Sequence, residues 1–527
     1  MTGRGSVDAI VIGAGANGLV AAATLAKAGR RVVVLEASAE IGGQHRSLEL
    51  APGFRAPLGV DAGWLPAPVS RSLGLSHLPV AQPLHAFSVP MDGEFLSLPI
   101  GAVRAAEAIR NYSPRDANRW ATFAPRMVKL AGFLEALYQL PTPDVDTTAL
   151  SEIVPLLGIA RTLRALGRRD SLELLRVLPM PVQDLVDDEF ELQPLKAAIA
   201  AGGVRDLRQG PRSGGTSFVL LHYMTGASEA SLRARVWWRE GPDAFTTAAA
   251  DVARRRGVTV RTGATVARIL VRDDAVTGVA LEDGEEIMAP LVLSTADPAR
   301  TLLGMVDPVW LDPEFLLALR NIKFRGATAY VHFALDALPA VPGLEHPDQA
   351  LASIVTLTKS TTDLERAADA AKYGRVSERP HVEITVPSLR WPSLAPGGNH
   401  VLTARVQYAP YSLREGRWDG DHACALGDAV AAVIAESIPG FAEHVLHRRV
   451  YTPRDIEEEF RVTEGALTHG ELMLDQILFM RPVAGYGRYA MPIDGLYLAG
   501  CGAHPGPGVL GAAGWLAARG ALRRRDR

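Results

Sequence analysis

Residues 7–36, VDAIVIGAGANGLVAAATLAKAGRRVVVLE, hold the stretch whose reading decides the fold. Val7 to Ile12 is short, apolar and β-branched, and it runs straight into the turn Gly13-Ala14-Gly15-Ala16-Asn17-Gly18. Leu19 to Lys27 then carries strong helix formers, Gly29 supplies a helix stop, and Arg31 to Leu35 is a second buried strand closed by Glu36. The pattern predicts strand, tight turn, helix and strand within about thirty residues, the size of a βαβ unit. Gly13, Gly15 and Gly18 stand where a tight turn, a close backbone approach to a pyrophosphate and helix-on-strand packing each require a missing side chain. A helix starting near Asn17 turns its free amides and positive dipole end towards phosphates. Glu36 lies 21 positions after Gly15, where a carboxylate accepts both ribose hydroxyls of a nucleotide and repels a 2′-phosphate, which disfavours NADP.

The rest of the composition suits an enzyme-sized carrier of such a site. The chain has 527 residues, 48% apolar and 21% charged, enough for a large core and several lobes. A net charge of −3 gives no field that would steer it to nucleic acid, although Arg523 to Arg527 form a short basic tail. Cys424 and Cys501 form no CxxC pair, which argues against dithiol exchange and for a reducing compartment. Ala9 to Ala26, with Arg4 before it, imitates the core of a secretory signal, but its glycines and Asn17 fit the nucleotide turn better, so the expected location is cytoplasmic. Walker-type lysines and metal-ligand spacings such as HExxH are absent, so neither phosphoryl transfer nor a metal centre is expected.

Further along, Val258 to Thr262, Val266 to Arg272, Ala275 to Glu282 and Glu285 to Thr295 read as short strands joined by Asp273-Asp274 and Asp283-Gly284 turns, a meander. Gly495 to Ala499 reads as a strand, followed by the turn Gly500 to Gly508 and a helix from about Val509 to Arg523. The expected fold class is α/β: a Rossmann-type domain built from discontinuous segments (1–71, 235–305 and 481–527) with an inserted α+β substrate or lid domain (72–234 and 306–480). Residues 72–234 read as mostly helical, and 306–480 as mixed, with strands such as Thr328 to Ala334 and His400 to Tyr408 and the helix Ala423 to Ser437.

After Glu36, a second glycine pair in Gly42-Gly43-Gln44-His45-Arg46 lets the chain pass close to a longer ligand, and Arg46 offers charge to a pyrophosphate. From Ile10 to Arg46 the sequence resembles the FAD-binding start of the phytoene-desaturase and amine-oxidase superfamily. The run Val266 to Pro298, with TGVALEDG and LVLSTADP, resembles the adenine-side strands of the same flavoproteins. TPRDIEEEF (452–460), LDQILFMRP (474–482) and GLYLAGCGAHPGPGVLGAAG (495–514) resemble its branch of pyridine nucleotide-disulfide oxidoreductase domain-containing proteins. The missing CxxC argues against the disulfide chemistry in that branch's name, and Glu240-Gly241-Pro242 stands where relatives commonly show a glycine pair. The resemblance implies FAD as cofactor. It implies that Gly13, Gly15, Ala16, Asn17, Gly18, Glu36, Ala37, Gly43, Gln44 and Arg46 hold the ADP half, with the backbone of Val266 beside the adenine. Gly500, Cys501, Val509 and Leu510, in the run Gly500 to Leu510, would then pass under the pyrophosphate and isoalloxazine. A helix N-terminus near Gly508 to Gly511 would favour the negative charge that arrives on reduction.

Flavin accepts a hydride by itself, so the protein has to position a C–H bond, exclude water and manage one proton. His504 and His469 are the candidates for that proton, with Tyr223 and His222 behind them; for each, a hydrogen-bonded core histidine is the bland alternative. Cys501 reads as a small buried thiol rather than a nucleophile. Gln476 and Arg481 read as lining the substrate cavity or, preferably, stapling the two domains. Trp120, Phe123, Met127, Leu130, Leu134, Leu137 and Tyr138 recur near helical spacing, and Ile153 to Leu178 sets Leu157, Ala160 and Leu163 against Arg161, Arg164, Arg168 and Arg169. Packing on the domain's own core is the ordinary reading of these helices; capping a greasy tunnel or contact with a membrane is the alternative. The expected activity is FAD-dependent removal of hydride from a small apolar or amine substrate. The alternatives are a flavin-dependent isomerase without net redox and a non-catalytic FAD protein that binds partners.

Overall fold

The computed structural model describes residues 7–58, 63–75, 78–81, 84–143, 150–227, 232, 236–344 and 346–525, with backbone alone at 150–156 and 524–525; the last two positions of the basic tail lie outside the described residues. Strands Ala9–Ile12 and Val32–Leu35 pair in parallel with every residue buried, as continuous apolar strands covered on both faces must be. Val292–Ser294 flanks Ala9–Ile12 on its other side, Leu496–Leu498 adds beyond it, and Thr259–Arg261 closes the opposite edge, all parallel. One five-stranded sheet is thus drawn from distant stretches of chain, in the α/β arrangement expected. Helix Ala16–Lys27 packs on this sheet and against helices Ala244–Arg255 and Ala512–Arg525. A Cβ on Gly514 would lie 1.9 Å from the Asn17 carbonyl oxygen, so the two terminal helices meet backbone to backbone.

A second sheet has seven strands in the order Val445–Tyr451, Thr328–Leu335, His400–Gln407, His381–Thr385, Ile354–Thr356, His85–Pro90 and Phe95–Pro99. The hairpin Ser47–Ala51 and Phe54–Pro57 belongs to its core: Leu50, Phe54 and Ala56 pack with Ala334 and Val401, and Leu48 and Leu58 with Tyr330 and Tyr451. The glycine turn and this second sheet face each other across one cavity, to which Gly13 and Tyr330 both contribute wall.

Four sequence expectations change. The meander is confined to Val266–Arg272, Ala275–Leu281 and Glu286–Met288; its expected outer strands, Thr259–Arg261 and Val292–Ser294, leave it because each finds a parallel partner far away in sequence. The block 72–234 is not helical throughout, since its strands His85–Pro90 and Phe95–Pro99 complete the second sheet. The last helix begins at Ala512 rather than Val509, because Gly511 at φ +67 interrupts helical geometry. Ile153 to Leu178 is two helices, Leu150–Leu166 and Arg168–Val177, broken at Gly167 with φ +83. In the first of them Ile159, Leu163 and Leu166 pack on the core at helical spacing, which turns Leu157 and Ala160 outwards beside the arginines. Helix Pro114–Tyr138, by contrast, buries Trp120, Phe123, Met127, Leu130, Leu134 and Tyr138 as its spacing predicts. Among the described residues, no helix is long and apolar enough to cross a membrane.

Candidate functional site

The glycines of the first turn act as their spacing requires. Gly13 sits at φ +96, and a Cβ there would lie 2.3 Å from Thr295 Oγ1; at Gly18 it would lie 2.0 Å from the Gly13 carbonyl oxygen. Gly18 is therefore a packing glycine, and it does not border the cavity. Gly15 and Gly43 do border it and face one another: a Cβ on Gly43 would come 3.3 Å from Gly15 Cα. The two glycine turns predicted separately thus form opposite sides of a single bare-backbone passage.

That passage opens into a cavity of about 620 Å³. At one end Glu36 ends its strand with its carboxylate directed at the glycine turn, accepting from the Ala14 amide at 2.7 Å and the Ser38 amide at 2.9 Å. Gly263 and Ala264 donate to the backbone carbonyls of Ser38 and Glu36, at 2.9 and 2.8 Å, which carries Val266 to the same end. Ala37, Val266, Gly13, Gly15, Ala16, Asn17, Gly43, Gln44, Arg46, Gly500, Cys501, Val509 and Leu510 all line this one cavity. Gln44 donates to the Leu467 carbonyl at 2.8 Å. Arg46 departs from expectation: its guanidinium is engaged by the Glu459 carboxylate, donates to the Glu459 carbonyl at 3.0 Å and lies over the Phe460 ring. It ties the first segment to the TPRDIEEEF segment while still forming part of the wall.

The opposite end is polar and was not foreseen from sequence, apart from Tyr223. Arg205, Asp206, Tyr223 and Tyr330 line it. Asp206 adopts φ +58, a left-handed conformation that aspartate tolerates better than most residues. Its carboxylate accepts from Arg405 at 2.8 Å, Thr328 Oγ1 at 3.1 Å and the Tyr223 hydroxyl at 3.3 Å. Burial alone would push this carboxyl up, but the Arg405 and Arg205 guanidiniums outweigh it and hold it below the usual range, so it stays ionised. The Arg205 guanidinium stacks over the Tyr223 ring at 4.8 Å. No local motif marks Arg205, Asp206 or Tyr330, which come from the turn after helix Gln193–Gly203 and from a distant strand; only the fold brings them together.

The two histidines part company. His469 lines the cavity, buried and at φ +55, and burial with the Arg481 charge pushes it down to about 4 against the pull of Asp297. His504 is equally buried and is pushed down to about 4, chiefly by burial, but it is not on the cavity wall; its ring packs on Tyr138. His222 braces the same turn, donating from Nε2 to the Pro507 carbonyl and, in that tautomer, accepting the Tyr138 hydroxyl at Nδ1, both at 2.7 Å. The Cys501 thiol, pushed up by burial, is approached by Asn17 Nδ2 at 3.8 Å. Arg481 proves to be a staple, fully buried and donating to the carbonyl of Cys501 at 2.8 Å and to carbonyls of the 468–476 loop, while Gln476 donates to the Pro482 carbonyl at 3.1 Å.

A bare-backbone passage beside a strand-end carboxylate and a glycine-rich C-terminal turn fits a dinucleotide that carries a flavin. Comparison with known proteins agrees: the family described as "Flavin containing amine oxidoreductase" matches residues 17–521. The chain belongs to the flavin-containing amine oxidoreductases. It is 34% identical to mouse (Mus musculus) pyridine nucleotide-disulfide oxidoreductase domain-containing protein 2, over 98% of this chain and 93% of that one. It is 23% identical to the lycopene-forming phytoene desaturase of Pantoea ananas, over 98% and 99%. Among solved structures it is similar in fold to a putrescine oxidase bound to putrescine, with a TM-score of 0.60, 15% identity and 99% of each chain covered. The cofactor of this flavoprotein is FAD, and its activity is that of an oxidoreductase.

Proposed function

We propose that the protein removes a hydride from a C–H bond of a small organic molecule, leaving a C=C or C=N bond. The observation that carries this reading is the asymmetry of the cavity: a cofactor cradle of glycines and Glu36 at one end, and an ionised, hydrogen-bonded wall of Arg205, Asp206, Tyr223 and Tyr330 at the other. FAD, held by Gly13, Gly15, Ala16, Asn17, Glu36, Gly43 and the Gly500 to Leu510 turn, supplies the hydride acceptor. The polar wall orients the substrate by hydrogen bonds, while Leu58 and the Tyr330 ring exclude water. A cavity of about 620 Å³ shared by cofactor and substrate suits a compact molecule. Convergent polar groups favour one with a hydrogen-bonding function, such as an amine, over a bare polyene. His469 is the residue placed to receive the proton: it is neutral above about pH 4 and so has a free ring nitrogen, it borders the cavity, and its Nδ1 has no partner among the described residues. His504, one layer back, keeps the turn in place.

Anaerobic mixing with candidate amines, alcohols and terpenes tests the reading. Bleaching of the flavin band with formation of the unsaturated product is the expected result. Product without lasting bleaching would mark an isomerase, and neither response to any compound would leave a binding protein.

A further inference from the structure

Arg481 is the largest buried charge near the cavity, and it is paired in an unusual way. Its side chain is 0% exposed. Nε donates to the Cys501 carbonyl at 2.8 Å, Nη1 to the Gln476 carbonyl at 3.2 Å, and Nη2 to the Thr468 carbonyl. The carbonyls of His469 and Gly470 lie at 3.4 to 3.5 Å. Every one of these partners is a neutral backbone oxygen, and among the described residues no carboxylate comes within ion-pair distance of the guanidinium. Burial draws it down to about 10, which still leaves it protonated at neutral pH. A buried ion balanced only by dipoles is costly unless a counter-charge completes the site.

The place of that cation narrows what the counter-charge is. Thr468, His469 and Cys501, whose carbonyls it holds, all line the cavity. A Cβ on Gly506 would lie 3.9 Å from its Nε, so it sits directly behind the glycine-rich turn. The pyrophosphate is already served by the amides at the start of helix Ala16–Lys27 and by the Gly15 and Gly43 passage. Reduction of FAD by a hydride adds two electrons and one proton, which leaves one extra negative charge on the ring system.

We infer that Arg481 is a positioning residue that supplies the counter-charge for reduced flavin, acting through the turn it braces, and so sets the reduction potential of the bound cofactor. The inference rests on FAD binding and not on the identity of the substrate. Its consequence is that reduced flavin binds more tightly, relative to oxidised flavin, than it would without the buried cation.

The test is the midpoint potential of the FAD-loaded protein, with the charge-keeping variant Arg481→Lys and the charge-removing variant Arg481→Met. In Arg481→Met the ratio of affinities for reduced over oxidised flavin should fall about tenfold, a potential about 30 mV more negative; Arg481→Lys should stay close to the unmodified protein. An unchanged potential in Arg481→Met would overturn the inference, whether thermal stability falls, as for a mere staple, or both affinities fall equally, as for a pyrophosphate contact. A second measurement needs no variant. In the unmodified protein the potential should change by about 30 mV per pH unit down to pH 6, the slope for one proton per two electrons. A slope of about 59 mV, showing that reduced flavin is neutral there, would overturn it equally. Failure of the unmodified protein to bind FAD would instead strike at the cofactor.

Discussion

The two ends of the cavity were assembled in opposite ways. The Glu36 end is built around one local run, residues 9–46, joined by 264–267 and the neighbouring Glu282 and Met305. The end carrying Asp206 is built from the turn after helix Gln193–Gly203, the end of helix Thr216–Tyr223, Tyr330 of the strand Thr328–Leu335 and the Arg405 behind it. The first can be written as a motif because a dinucleotide's backbone demands glycines and a carboxylate at fixed offsets. The second follows only from two sheets being brought face to face. On the proposed function, the difference makes cofactor and substrate recognition separable, and mutations test that.

The largest effect belongs to the local end. Gly18→Val places side-chain atoms where a Cβ already meets the Gly13 carbonyl at 2.0 Å, and overpacking of this kind should cost about 3 kcal/mol in urea unfolding, with loss of yellow colour. Near-native stability and full FAD content in that variant would break the account of the turn. Between the two ends, His469 and His504 should make stability pH-dependent. Both are pushed down to about 4 when folded, against 6.5 as the ordinary value, so protons bind the unfolded chain first. Their contribution is complete above pH 6.5 and is lost as pH falls through 4, at about 3 kcal/mol each at most. His504→Gln should remove one share of that slope in denaturation curves taken from pH 7 to 4.

Smaller effects separate the ends directly. Glu36→Ala should weaken FAD binding about 30-fold, roughly 2 kcal/mol, as read by flavin fluorescence titration, and that variant purified fully yellow would contradict the ribose assignment. Tyr223→Phe removes only the hydroxyl that donates to Asp206. It should lower kcat/KM about tenfold, close to 1.4 kcal/mol, while FAD affinity stays within about twofold; an equal loss in both would join the two ends again.

The same contrast explains what the sequence could tell. The strand, glycine turn and helix of residues 9–27 and the acidic end of Val32–Leu35 were readable because each is dictated by neighbours within a few residues. Thr259–Arg261 and Val292–Ser294 were misplaced in the meander because strands of three residues carry no local sign of a parallel partner. Arg46 was legible as a cation but not as the partner of Glu459, more than 400 positions away. His504 and His469 looked alike in sequence, since nothing short of packing decides which ring borders the cavity. Leu157 was expected opposite the arginines, and a helix face is fixed only when its neighbours are known.

The backbone contact between Gly514 and Asn17, and the edge strand Leu496–Leu498, carry a temporal consequence. A ribosome delivers the motif of residues 9–36 well before the cavity wall of residues 500–511. The nascent chain therefore cannot complete this domain until residues 496–514 have emerged, and a coloured holoprotein forms only once that later segment has docked on the first.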